Sequence, residues 1–129
     1  MGTSVGNPWF ICTFTVAETL FTALNEFSAS RAINVSATSQ PFFSQFWATA
    51  TAGQSHANGS AAYDAILAGM RAYANSFLAR TQSHVMTNGS LSEQFSRIDG
   101  SQKGVRFPSH FPSSPSVFLR VGANCGDNV

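Results

Sequence analysis

The sequence predicts an all-α fold, and three observations carry that reading. Apolar residues recur at spacings of three and four through 9–27 and again through 63–81, which is the repeat of a helix with one buried face. A shorter run, 41–50, places Phe42, Phe43, Phe46 and Trp47 on one helical face. The stretches between these segments are polar, and the last part of the chain has no sustained periodicity.

The first helix is expected to open at Asn7-Pro8. Asn is a favoured N-cap, and Pro suits the first helical position, where its missing N–H needs no partner. Its apolar face holds Phe10, Val16, Ala17, Leu20, Phe21, Leu24 and Phe27, and it is expected to run to about Ser28. On this pattern alone Trp9 reads as a core or rim aromatic. Residues 31–40 read as a polar connector. Residues 41–50 read as a short helix with Pro41 in its first turn, its aromatic face packed into the core. Residues 51–58 read as a loop. The clearest helix then starts with Ser60 as N-cap and is expected to end near Met86. Arg71, Arg80 and His84 fall in its later part, favourable against the negative end of the helix dipole. From Gly104 onward, Pro108, Pro112 and Pro115 interrupt a Ser-rich run that is extended or irregular in expectation.

Composition narrows the function. The 129 residues suffice for one small domain. Charged residues are 10% of the chain, against about 25% in an ordinary domain. With twelve Phe residues, this argues for helix surfaces that other protein covers. A net charge of +1 and the lack of any Lys/Arg cluster argue against nucleic acid as a partner. No apolar stretch reaches the roughly 18 residues that span a bilayer. The aromatic face of 41–50 has no basic residues opposite it, so a membrane-surface role is not expected either. The start lacks a basic region followed by an apolar run, so no signal peptide is expected in this chain. Cys12 and Cys125 have no metal-ligand spacing, and Cys12 reads as a buried thiol. His56, His84 and His110 are too scattered for a metal set and read as solvated or capping residues. No metal or cofactor is implied. Three Asn-x-Ser sequons, at Asn34, Asn58 and Asn88, lie in polar connecting stretches and lean toward a secreted ancestry.

The chain has six acids, so each can be weighed. Glu18 and Glu26 belong to the polar face of the first helix. Asp64 suits the first turn of another. Asp99 precedes Gly100 and reads as turn chemistry. Asp127 lies near the C-terminus. Glu93 is placed in a loop, in Asn-Gly-Ser-Leu-Ser-Glu-Gln-Phe (88–95), with no structural task visible. Loops on a rigid scaffold are where catalytic groups are often carried.

Two motifs then carry a resemblance. Gly6-Asn7-Pro8-Trp9-Phe10-Ile11-Cys12-Thr13, followed by Ala17-Glu18-Thr19-Leu20, resembles a segment of the fungal glucoamylases, the family 15 glycoside hydrolases. Asn88-Gly89-Ser90-Leu91-Ser92-Glu93-Gln94-Phe95, followed by Asp99-Gly100, resembles a second segment, in matching order and separation. The resemblance covers roughly residues 6–103. It implies the C-terminal part of an (α/α)6 toroid over 1–104, with 105–129 an irregular Pro/Ser-rich tail unrelated to the family. It implies an inverting hydrolase that releases glucose from the non-reducing ends of starch and maltooligosaccharides, outside the cell. Glu93 then maps onto the general base, Trp9 onto a tryptophan of the sugar pocket, and Gln94 onto a residue that supports the base. The family's general acid lies upstream, so this chain alone is expected to be inactive, with the missing part of the catalytic domain as its natural partner. Two alternatives stand beside this reading. One is a non-catalytic remnant that binds carbohydrate or protein. The other is a coding sequence that reads into an intron at Val105-Arg106, two residues that can be encoded by codons resembling a splice donor.

Overall fold

The computed structural model describes residues 6–107. Two long helices pack side by side: α1 (Phe10–Ser30) and α3 (Ala61–Gln82). They run antiparallel. The Tyr63 hydroxyl, near the start of α3, donates to Phe27 O near the end of α1 at 3.0 Å. At the other end the rings of Phe10 and His84 meet, 6.4 Å between centroids. A two-stranded ribbon closes the first end, β1 (Ala32–Asn34) paired antiparallel with β2 (Ser55–Ala57). A hairpin occupies the second, β3 (Leu91–Phe95) paired antiparallel with β4 (Gln102–Phe107). A single turn of helix, α2 (Gln40–Phe43), lies between the two strands of the ribbon in sequence.

The core is the seam between the long helices, continued under the ribbon. Leu20 and Leu24 of α1 meet Tyr63, Ile66, Met70 and Ala74 of α3, with Ile33, Val35 and Phe43 beneath. Ile33 and Ile66 are wholly buried. Phe42, Phe46 and Trp47 pack half-buried against this cluster, as the aromatic face of that run predicts. Phe46 comes so close to α3 that a Cβ at Gly69 would lie 2.6 Å from its Cδ1. A glycine inside a helix costs about 1 kcal/mol relative to alanine, and the close aromatic contact is what it permits here.

Several boundaries differ from the sequence expectation. The first helix begins at Phe10 rather than Pro8, because Pro8 O accepts a hydrogen bond from Phe95 N at 3.1 Å. That bond holds Trp9 extended at φ −100°, ψ 133°. The helix runs on to Ser30 and stops at Arg31, a non-glycine residue at φ +54°. The connectors 31–40 and 51–58 contain the ribbon strands. Three residues per strand are too few to show a period, and it is their mutual pairing that makes them strands. The helix expected over 41–50 lasts one turn, after which Gln45 and Phe46 bond three residues back and the chain turns. The third helix begins as expected, with Ser60 Oγ accepting from Tyr63 N at 3.3 Å. It ends at Gln82, not near Met86, since His84 N turns to Thr81 O and Met86 N to Ser90 O. Residues 105–107, expected to begin the irregular tail, continue β4 by pairing with β3; the rest of that tail, with His110 and Cys125, lies outside the described residues. Cys12 is exposed rather than buried, because it sits on the outer side of the first turn of α1. No described helix is long and apolar enough to cross a membrane.

Candidate active site

The site grows from one backbone contact. Trp9 and Gln94 form an isolated antiparallel bridge, reinforced by the bond from Phe95 N to Pro8 O. It joins the residue that starts α1 to the strand that carries Glu93. Two segments more than eighty positions apart are thereby locked in register. Trp9 is 44% exposed, so its indole offers a face to solvent or ligand. Its carbonyl is capped by Thr13, whose N–H and hydroxyl donate at 3.2 and 3.1 Å.

Glu93 lies on β3, not in a loop. Leu-Ser-Glu-Gln-Phe has weak strand propensity at its centre, and pairing with β4 overrides it. The pairing slips by one residue here: Ser92 faces Arg106, whereas Gln94 faces Lys103. Gly104 and Val105 therefore oppose Glu93 alone, which makes a bulge in β4. Gly104 has φ +87°, the left-handed conformation that a glycine adopts at such a bulge. A Cβ at this position would lie 3.0 Å from Glu93 Oε2 and 3.4 Å from Glu93 Cβ. The carboxylate thus rests beside a bare backbone. On β3 itself the Ser92 hydroxyl donates to Gln94 O at 2.8 Å.

Behind the strand is an aromatic layer that the sequence did not single out. The His84 ring stacks on Phe95 at 4.3 Å and 19°, and Phe10 packs against Phe95 at 4.9 Å. His84 is half-buried rather than solvated, because the turn after α3 carries it over the strand. Gln102 Nε2 donates to both His84 O (2.7 Å) and Ser90 O (3.0 Å), tying the exit of α3 to both strands. Phe10 and Phe95 are the sequence neighbours of Trp9 and Gln94, so the layer fixes the bridge from behind. The only signal for it in the sequence is that each aromatic adjoins a motif residue.

Glu93 and Gln94 are both half-buried. Among the described residues neither side chain has a hydrogen-bond partner, and Gln94 does not hold Glu93. The other described acids stand apart from this chemistry. Glu18, Glu26 and Asp64 are exposed on the long helices. Asp99 forms the turn between β3 and β4, accepting from Ser101 N at 3.0 Å and from the Ser101 hydroxyl at 2.8 Å. Hydrogen bonding from Ser96 and Ser101 holds its carboxyl well below the usual carboxylate range. It stays ionised at neutral pH and has no proton to give. Among the described residues no group of three or more His, Cys, Asp or Glu side chains is placed to hold a metal ion. A groove of about 320 Å³ lies away from Glu93, lined by uncharged residues including Val16, Leu20, Phe42 and Tyr73.

The chain as a whole is similar to one class of protein, the glycoside hydrolases. The model of glycosyl hydrolases family 15 matches residues 1–115, and the chain belongs to that family. Its relatives there are glucoamylases. Glucoamylase 1 of Rhizopus oryzae is 34% identical over 124 residues, which span 95% of this chain and 20% of the relative. The probable glucoamylase of Schizosaccharomyces pombe is 37% identical over 103 residues, 80% of this chain and 21% of the relative. Among solved structures, the family 15 glucoamylase of Hypocrea jecorina superposes with a TM-score of 0.73 at 32% identity, over 78% of this chain and 17% of that one. The glucoamylase of Hormoconis resinae gives 0.71 at 33%, with the same coverage. The chain therefore spans about a fifth of the length of the curated relatives it matches. Its helices form part of the α/α toroid of that catalytic domain, and the short ribbon lies in the connection between α1 and α3.

Proposed function

We propose that this chain supplies the general-base side of an inverting glucan 1,4-alpha-glucosidase site. Its substrates are the non-reducing ends of starch and maltooligosaccharides, and it works outside the cell. Glu93 is the general base. Trp9 offers an aromatic face to the sugar, and Gln94 sits beside the base. The Trp9–Gln94 bridge is the observation that supports this reading best. It brings together the two segments that carry those residues and leaves the Glu93 carboxylate unpaired among the described residues, open to a water molecule.

An inverting hydrolase needs a second carboxyl, protonated, roughly 6.5–9.5 Å from the first to admit the attacking water. None of the described acids has that role: three are spread on helix surfaces and Asp99 is held ionised. The acid comes from the remainder of a family 15 catalytic domain, which is the partner we propose for this chain. The chain alone is expected to release no glucose.

A chimera tests this. Residues 6–103 replace the corresponding segment of the Hypocrea jecorina glucoamylase, and glucose release from maltose is measured. Hydrolysis by the chimera that falls by about 10²–10⁴ in Glu93→Gln, with an unchanged melt, is the expected result. A Glu93→Gln chimera that keeps its activity refutes the assignment. Maltose binding without turnover in the parent chimera favours the non-catalytic carbohydrate-binding remnant instead.

A further inference from the structure

The three sequons are not equivalent once folded. Asn34 lies in β1 between Ile33 and Val35, which are 0% and 3% exposed. Neighbouring residues of a strand point to opposite faces, so burial of these two sends the Asn34 side chain outward, and it is exposed. Its partner across the ribbon is Ser55, also exposed. Asn58 follows β2 directly. Its N–H donates to Arg31 O at 2.9 Å, which fixes the backbone and leaves the side chain exposed. The middle residue of its sequon, Gly59, has open space around it: a Cβ there would meet nothing within 4 Å. Neither side-chain amide has a partner among the described residues. Asn88 is exposed as well but lies at the hairpin end, where its Oδ1 accepts from both the N–H and the hydroxyl of Ser90 at 3.0 and 2.8 Å.

We infer that Asn34 and Asn58 are a paired N-glycan site on the β1–β2 ribbon. In the transfer, asparagine Nδ2 attacks the anomeric carbon of an oligosaccharide carried on a polyprenyl pyrophosphate. The bond from that carbon to the pyrophosphate oxygen breaks and a carbon–nitrogen bond forms. The pyrophosphate leaves with the bonding electrons, and the amide gives up one proton.

The position suits the fold. The ribbon is at the far end of α1 from Trp9, and 21 helical residues at 1.5 Å each put about 30 Å between them. Glycans there leave the Trp9 and Glu93 surface clear. They also hydrate a chain of which only 10% is charged. This inference rests on the proposed export of the chain and not on the role given to Glu93.

The test is to express the full chain in yeast behind a host secretion leader and to digest it with peptide N-glycosidase F in heavy-oxygen water. An asparagine that bore a glycan emerges as aspartate carrying the heavy isotope. Most molecules are expected to carry the label at both Asn34 and Asn58, and Ser36→Ala is expected to abolish it at Asn34 while leaving Asn58 labelled. The same reading of the cell-retained pool serves if export is poor. Label missing from both, or confined to Asn88, overturns the inference, and label on one of the pair overturns the assignment of the other.

Discussion

At one end of the α1–α3 pair, the ribbon of β1 and β2 contributes Ile33, which with Val35 and Phe43 completes the core. At the other, the β3–β4 hairpin joins the pair through the Trp9–Gln94 bridge, the bond from Phe95 N to Pro8 O, the bond from Gln102 Nε2 to His84 O and the packing of Phe10, His84 and Phe95, and it bears Glu93 and Gln94. The first end is finished by burial. Both ends have local irregularities: the first has Arg31 at positive φ and a buried His56 Nε2 without a described partner, and the second has a bulge at Gly104 with Thr81 Oγ1, His84 Nε2 and Gln102 Oε1 buried without one. The first end supports the second: α1 and α3 both reach from the core to the hairpin.

That contrast can be broken first at its buried side. Ile66→Ala removes a wholly buried side chain and is expected to cost about 2–5 kcal/mol. A thermal or urea melt should show one cooperative loss that includes the hairpin. If hydrogen exchange shows the hairpin unaffected, the two ends are independent and the comparison fails. Gly104→Ala acts on the other side. A Cβ there is strained by the positive φ, about 1–2 kcal/mol, and presses on Glu93. Its exchange signature is expected to stay within β3 and β4 while α3 keeps its protection.

Ser60→Ala tests the junction between ribbon and helix. Loss of an N-cap hydroxyl costs about 1 kcal/mol, and the melt should move by that amount without changing the hairpin. The smallest effect is expected from Asp99→Asn. The folded carboxyl is held below its ordinary range, so its contribution is present above the unfolded pKa and fades as pH falls through the folded one. The mutant should melt slightly below the parent at neutral pH, and the gap should close in acid. A gap that is constant with pH would show that the turn depends on shape and not on the charge.

The sequence was most informative where the signal is long or chemically distinct. The two long helices, the Ser60 cap and the Asp99 turn follow from periodicity and local hydrogen bonding, and each is present. Asn7-Pro8 misled about the start of α1, because a distant strand takes the carbonyl of Pro8. The ribbon and hairpin read as loops in the sequence, because strands of three to six residues with mixed polarity have no periodicity to display. Cys12 was read as buried from residue type alone, and only the rotation of α1 decides which of its sides faces out.

The same division holds at the site. The residue types around Trp9 and Glu93 stand in two motifs, and those motifs alone carried the family and the candidate base. Their juxtaposition is a tertiary fact. It depends on α1 and α3 being antiparallel, on the Trp9–Gln94 bridge, and on His84, Phe95 and Phe10 stacking behind it. Sequence by itself determined the helices and the chemistry on offer, since both are encoded in neighbouring residues. The bulge at Gly104, the exposure of each asparagine and the meeting of segments more than eighty positions apart were decided only by the folded chain. Each of these is set by which surfaces are buried together, and burial is a property of pairs that the linear order does not contain.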